Sequence, residues 1–139
     1  MSRFVLDPRL AADSVPVIEL PLCGVRLMND ARFAWLLLVP RRDGMSELHD
    51  LDAADQDRLW REIRFASAAL RDAAPCDKLN LGALGNIVRQ LHVHLVARVA
   101  GDAAWPGPVW GSGAAQPYDA AALEATMAAL RRRLAGYQD

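Results

Sequence analysis

Cysteine, long apolar runs and an excess of charge are all scarce in this sequence, and each scarcity excludes a class of protein. Two cysteines, Cys23 and Cys76, are too few for a disulfide framework and form no CxxC pair. With no secretory signal at the N-terminus, this predicts a cytoplasmic protein. The longest apolar run, Phe33 to Val39, is far shorter than the ~20 residues that span a bilayer. A net charge of −1 provides no bulk attraction to nucleic acid or an anionic membrane. We therefore expect neither partner.

The length of 139 residues predicts a single domain, residues 1–139, that buries about 70% of the surface of the unfolded chain. Apolar segments bounded by turn residues indicate strands. We expect them at 17–22, 24–28, 34–39, 78–82 and 90–98. The second and third of these are joined by a short turn, which predicts an antiparallel hairpin.

Three helices are predicted around these strands. A short one has Pro8 near its start, where proline is favoured. A long one begins at the N-cap Asp52, carries an apolar stripe and ends before Pro75. A C-terminal one spans about 119–135. The fold class is therefore α+β: an antiparallel sheet with a long helix and a C-terminal helix packed against it.

The segment 90–98 carries the chemistry. Alternate side chains of a strand share a face, so Gln90, His92 and His94 are expected on one face and apolar residues on the other. Same-face neighbours lie about 6–7 Å apart, so two imidazoles can reach one phosphate group. A neutral imidazole is a good nucleophile near pH 7, and a second, protonated one can donate to a phosphate oxygen or to the leaving group.

The residues alone leave other readings open. Gln90 and the two histidines also fit the solvated face of an ordinary sheet, without any ligand. The His-x-His spacing of His92 and His94 is also found among metal ligands. A zinc site built from cysteine and histidine has little support from the spacing.

The wider context of these histidines favours one family. The run Asn86-Ile-Val-Arg-Gln-Leu-His-Val-His-Leu-Val-Ala-Arg98 resembles the motif of the histidine triad (HIT) family, histidine-φ-histidine-φ-histidine-φφ, in which φ is apolar. Leu36-Leu-Leu-Val-Pro-Arg-Arg42 is similar to the family's strand that ends in proline and basic residues. Leu95 to Asp102 resembles the Fhit branch, and Trp105-Pro-Gly the Hint branch. The resemblance covers about residues 23–111, with Gln90 in the first triad position.

The resemblance implies an enzyme. Members of the HIT family attack the α-phosphate of a nucleotide with the middle histidine and form a covalent nucleotidyl-histidine. His92 takes that role here, and His94 stabilises the phosphate and the leaving group. The implied protein is a hydrolase or nucleotidyltransferase for a purine nucleotide or dinucleotide, with no cofactor and no metal. Gln90 would support the two histidines from the same face.

The resemblance also implies residues that bind the substrate. Asn80 matches a phosphate-contacting asparagine on the preceding strand. Asn29, with Asp30 as the fallback, matches the residue that binds the ribose hydroxyls. The family often has serine or threonine at the position of Ile87, and Asn86 can compensate for its loss.

Gln90 and Ile87 keep an alternative open, namely a nucleotide-binding sensor or partner protein with little turnover. Relatives of the Hint and Fhit branches are homodimers, and Trp60 on the long helix is a candidate anchor for a symmetric dimer. The loop with Trp105 and Trp110 can pack on a second subunit, which we favour, or close over a base. His49 is expected to be structural.

Overall fold

A five-stranded antiparallel sheet organises residues 3–139, the part of the chain that this computed structural model describes. The strands lie in the order β1-β2-β3-β5-β4. Their bounds are β1 (Ser14–Glu19), β2 (Cys23–Met28), β3 (Ala34–Pro40), β4 (Lys78–Gly82) and β5 (Val93–Arg98). The predicted hairpin of the second and third strands is confirmed, since β2 and β3 pair antiparallel.

The helices surround this sheet and are α1 (Pro8–Asp13), α2 (Ala53–Ala73) and α3 (Ala120–Leu134), with a 3₁₀ turn at Leu48–Asp50. The predicted N-cap of α2 and the predicted start of the C-terminal helix at Asp119 are confirmed. The Asp52 carboxylate accepts a hydrogen bond from the Asp55 backbone N–H, and Asp119 caps α3 in the same way, both at 2.8 Å. These elements establish the α+β class expected from the sequence. Within residues 3–139, no helix is long and apolar enough to cross a membrane.

The sheet has apolar side chains on both faces. One face packs against the buried stripe of α2, with Leu59, Ile63, Ala66 and Leu70, and against α3. The other face carries a smaller core that includes Leu10 from α1, Leu37 from β3 and Val109 from a later loop. Strand β3 is buried on both sides, which explains its unbroken apolar sequence. The second face holds the candidate site.

Two predicted strand bounds were wrong. The first strand spans 14–19 rather than 17–22, because the chain bends at Pro21 and Leu22. The backbone N–H groups of Leu22 and of Cys23, the first residue of β2, both donate to the buried Glu62 carboxylate at 2.8 Å. The last strand begins at Val93 rather than at Gln90. The Leu91 N–H donates to the Met45 carbonyl at 2.9 Å, so this stretch pairs with a loop rather than with β3.

Candidate active site

A cleft of about 740 Å³ opens on the second face of the sheet and contains both His92 and His94. Its walls come from α1, the turn between β2 and β3, the loop before β5 and the loop around Trp110. Apolar side chains form much of the lining: Leu10, Met28, Leu37, Val88 and Val109. The size and lining are typical of a site for a small organic ligand.

The two ring nitrogens of His92 have different roles. Its Nδ1 lies 2.7 Å from the backbone carbonyl oxygen of Gln90. A carbonyl oxygen only accepts hydrogen bonds, so Nδ1 carries the proton in the neutral ring. The Nε2 atom is therefore left with a free lone pair. His92 is in the tautomer that a nucleophile requires.

His94 adopts the opposite arrangement. The indole Nε1 of Trp35 donates to His94 Nδ1 at 3.0 Å. An indole N–H only donates, so Nδ1 is the acceptor and the proton of the neutral ring lies on Nε2. The centroids of the His92 and His94 rings are 4.8 Å apart. The cleft thus presents one unprotonated and one protonated imidazole nitrogen side by side.

His94 is neutral near pH 7. Burial of the ring, followed by the positive charge of a protonated His92, lowers the pKa of His94 to about 4. The Trp35 N–H adds to this effect, because a second proton on Nδ1 would leave two donors facing each other. In the protein without substrate, His94 is therefore a neutral donor rather than the protonated one considered from the sequence. His94 nevertheless donates a hydrogen bond, through Nε2–H.

Trp110 closes the far side of His94. The two ring centroids are 5.4 Å apart, and the Trp110 ring also lies against Gly82, where a Cβ atom would come within 3.1 Å of it. Trp105 is 39% exposed, with its ring 5.7 Å from the Arg98 guanidinium carbon. We favoured packing of this loop on a second subunit, but the structure places Trp110 in the cleft of its own chain.

The Gln90 side chain points away from the two histidines. Its Oε1 accepts from the Asp7 backbone N–H, and its Nε2 donates to the Val5 carbonyl, both at 2.8 Å. The sequence predicted a Gln90 side chain that supports the imidazoles directly. The structure corrects this, because the contact with His92 comes from the Gln90 main chain.

Three of the predicted substrate-binding residues line the cleft: Asn29, its fallback Asp30, and Asn86. Asn29 and Asp30 already have intramolecular partners. The Asn29 Oδ1 accepts from the Tyr118 backbone N–H at 3.0 Å, and Asp30 forms an ion pair with Arg32 at 2.8 Å. Asn86 is exposed on the loop before β5.

Asn80 does not belong to the cleft lining, which corrects its predicted place there. It lies on β4 opposite Val96, two positions before the Gly82–His94 pair. Its Oδ1 accepts from Arg98 Nη1 at 2.9 Å, and Arg98 is held by Asp102 at 2.8 Å. Asn80 is thus part of a partly buried polar cluster that lies beside the cleft, on the same face of the sheet as His94.

His49 is exposed in the 3₁₀ turn and lines a separate pocket of about 210 Å³ that also reaches His92. Within residues 3–139, no group of three or more His, Cys, Asp and Glu side chains is arranged to hold a metal ion. A metal site based on His92 and His94 therefore has no third ligand of these types in the described chain.

Sequence reasoning missed two contributors to the site. Trp35 was read only as part of an apolar strand, although an indole on β3 beside β5 is placed to reach a histidine there. The residues before α1 were missed altogether. Their proximity to Gln90 depends on contacts between positions more than 80 apart, which no local pattern reveals.

The fold places His92 directly before β5 and His94 within it, on the cleft side of an inner strand of the sheet. A model of the HIT domain family matches residues 9–101. Solved structures agree: histidine triad proteins from Bradyrhizobium japonicum and Sinorhizobium meliloti are each 47% identical to the chain and cover 94% of it, with TM-scores of 0.92 and 0.91. The alignments cover 98% and 96% of those proteins. The chain belongs to the HIT domain family.

A third histidine triad protein, from Marinobacter aquaeolei, is 42% identical, with 96% of this chain and 98% of that one covered and a TM-score of 0.94. A comparison with curated proteins finds no match. The HIT resemblance read from the triad region is thus confirmed at the level of the family.

The role of Trp35 is testable by replacing it with phenylalanine. Trp35→Phe keeps an aromatic ring but removes the donor to His94 Nδ1, so the proton can move to that atom. We expect the pKa of His94 to rise and turnover to fall on the order of 10-fold, as for other groups that orient a site residue. NMR titration of the imidazole nitrogens measures the first effect. An unchanged His94 tautomer and pKa in a folded Trp35→Phe protein would contradict this role.

Proposed function

We propose that the chain is a nucleotide-phosphate hydrolase or nucleotidyltransferase that forms a covalent nucleotidyl-histidine on His92. The observation that carries this proposal is the pairing of tautomers: a lone pair on His92 Nε2 next to an N–H on His94 Nε2. A nucleophile and a hydrogen-bond donor at this separation can act on the same phosphate. We further propose that the protein is of the Hint/Fhit-like branch, with Gln90 in the first triad position.

In the first step, the His92 Nε2 lone pair attacks the α-phosphorus. An N–P bond forms, and the bond from phosphorus to the leaving-group oxygen or nitrogen breaks with its electron pair on the leaving group, which takes a proton from water. Positive charge develops on the His92 ring. The Gln90 carbonyl, which accepts from Nδ1–H at 2.7 Å, stabilises this charge.

In the second step, water attacks the same phosphorus and breaks the N–P bond. A nucleoside monophosphate is released, the electron pair returns to Nε2, and the water proton leaves to solvent. A second acceptor in place of water makes the reaction a transfer. In both steps the His94 N–H donates to a non-bridging oxygen, where negative charge grows in the transition state.

The cleft accommodates a nucleoside next to the reacting phosphate. Its apolar side chains can pack on a base, and we propose a purine because the cleft of about 740 Å³ has room for a bicyclic ring. Asn29, Asp30 and Asn86 are proposed contacts for ribose and phosphate, through the hydrogen-bonding capacity that their intramolecular partners leave. The leaving group is a phosphate chain, an amine or a second nucleotide.

The test is incubation with adenine and guanine nucleotides, phosphoramidates and dinucleoside polyphosphates, followed by rapid acid-free quenching and intact-mass analysis. A mass increase of one nucleotidyl group on the protein, with release of nucleoside monophosphate, is the expected result. A His92→Ala protein treated in parallel controls for labelling elsewhere. Hydrolysis without any His92-dependent adduct under single-turnover conditions would contradict the covalent route.

A second function is supported by the loop before β5. Ile87 is 81% exposed where the family often has a hydroxyl donor. The Gln90 side chain makes its hydrogen bonds to the backbone of Val5 and Asp7 rather than to the histidines. These features fit a nucleotide-binding sensor with little turnover. Calorimetry separates the two functions: a sensor binds the nucleotide tightly but gives neither adduct nor product.

We also propose a symmetric homodimer. Large apolar side chains are exposed around a small groove between α2 and the edge strand β4, and Trp60 is 55% exposed there. The others are Leu48 and Leu81. Strand β4 is at the end of the sheet, so a second copy can extend the sheet while its helix covers the groove.

Trp60→Glu is expected to convert this dimer to a monomer, because a buried aromatic anchor is replaced by a charge that would have to be desolvated. Light scattering at micromolar concentration measures the change. Ala128→Glu adds the same charge at an exposed position of α3 and should leave the mass unchanged. A monomeric parent protein would refute the dimer.

A further inference from the structure

Gln90, which occupies the first triad position, holds the N-terminal arm (Phe4–Asp7) against the loop before β5. Both polar atoms of the Gln90 amide bond to the arm backbone, at 2.8 Å each, as a neighbouring strand would. We propose that Gln90 is a latch, a positioning residue that fixes the arm and α1 as a wall of the nucleotide site. The latch therefore sets substrate affinity more than the chemical step. This inference rests on the proposed function for its substrate.

Gln90 makes contacts with both its side chain and its main chain. The Gln90 side chain holds the arm, while the Gln90 carbonyl orients His92 at 2.7 Å. A second tether lies beside it, since Arg9 Nη1 donates to the Ile87 carbonyl at 3.0 Å. The arm and the loop that carries His92 therefore move as one unit while the latch is closed.

Helix α1 depends on such tethers. It has 6 residues, and a helix this short is unstable without tertiary support. Gln90 and Arg9 hold its start, and at its other end the Asn29 backbone N–H donates to the Asp13 carbonyl at 2.9 Å. In the middle of the helix, Leu10 packs into the smaller apolar core on the second face of the sheet.

This helix lines the cleft. Leu10, Ala12 and Asp13 face the same space as His92 and His94. When the Gln90 hydrogen bonds are lost, the arm can leave the site. A nucleotide then binds only to those molecules in which α1 still lines the cleft. The apparent affinity falls by the fraction of molecules that are competent to bind.

The predicted consequence is a change in KM. Gln90→Ala removes both hydrogen bonds, and a net loss of about 0.5–1.5 kcal/mol for each corresponds to roughly a 10-fold rise in KM. The value of kcat should change much less, because His92 keeps its bond to the main-chain carbonyl. Gln90→Glu retains the acceptor for the Asp7 N–H but places a carboxylate oxygen against the Val5 carbonyl, and should be at least as impaired in KM.

Arg131→Ala is a matched control. Arg131 also connects two segments, α3 and β1, by donating to the backbone carbonyls of Pro16 and Val17. It lies outside the cleft lining. It is expected to lower thermal stability without raising KM. Arg9→Ala removes the second tether and should raise KM further when combined with Gln90→Ala.

Hydrogen exchange of the nucleotide-free protein tests the latch independently of turnover. Gln90→Ala should speed exchange of the Asp7 amide, and bound nucleoside monophosphate, measured by calorimetry, should slow it again. Unchanged Asp7 exchange, or a folded Gln90→Ala protein with normal KM and a kcat as low as that of His92→Ala, would overturn the proposal. If the parent protein turns over no nucleotide, the proposed function fails, while the exchange and binding data still decide the latch.

Discussion

His92→Ala is expected to lose turnover by a factor on the order of 10³ or more, as when other enzymes lose their nucleophile. In the proposed mechanism, removal of the imidazole eliminates the atom that forms the N–P bond, and the direct attack of water must replace it. The His94 donor and the cleft walls remain, so nucleotide binding should be largely retained. The measurement is kcat on the best substrate of the nucleotide panel, with calorimetry for binding.

Arg132→Ala is the control for this experiment, because Arg132 is exposed on α3 and lies outside the cleft lining, and its loss should change turnover less than twofold. Thermal melts of both variants exclude unfolding. Near-normal turnover in His92→Ala, with no adduct on the parent protein, would show that the nucleophile has been assigned to the wrong residue.

His94→Ala is expected to reduce kcat on the order of 10²-fold, the usual cost of removing one donor to a developing oxyanion. The loss should be smaller than for His92→Ala because attack by Nε2 remains possible. KM should change less than kcat, since the hydrogen bond strengthens as charge grows on the phosphate. Steady-state kinetics measure both.

The adduct provides a second readout for this variant. His94→Ala should still accumulate nucleotidyl-His92, only more slowly, whereas His92→Ala forms none. His94 is 7% exposed between aromatic rings, so a melt and a His94→Gln variant, which retains an N–H donor, accompany the measurement. A His94→Ala protein with parental kcat would remove His94 from the mechanism.

Most of the fold follows from local patterns in the sequence. The N-cap Asp52, the start of the C-terminal helix at Asp119 and the apolar stripe of α2 are each defined within a few residues, and they were predicted correctly. The run 34–39 is apolar throughout because β3 is buried on both faces. The HIT resemblance in turn depends on a short motif around His92 and His94.

The details of the site depend on contacts between distant residues, and these could not be read from the sequence. Asn80 has the right residue type and strand, but its partner Arg98 is brought close only by the β4–β5 register. The Gln90 side chain bonds to a segment more than 80 residues away. The pKa of His94 is lowered mainly by burial of its ring, which depends on the side chains packed around it and is not encoded in the spacing of the histidines.

The tautomers of His92 and His94 depend on the amino-acid sequence in different ways. The proton on His92 is fixed by the main-chain carbonyl of residue 90, which every amino acid at that position supplies. The proton on His94 is fixed by the indole of Trp35, which any substitution at position 35 removes. A change at position 90 can therefore remodel the arm while His92 keeps its tautomer, whereas a change at position 35 removes the donor that fixes the proton on His94.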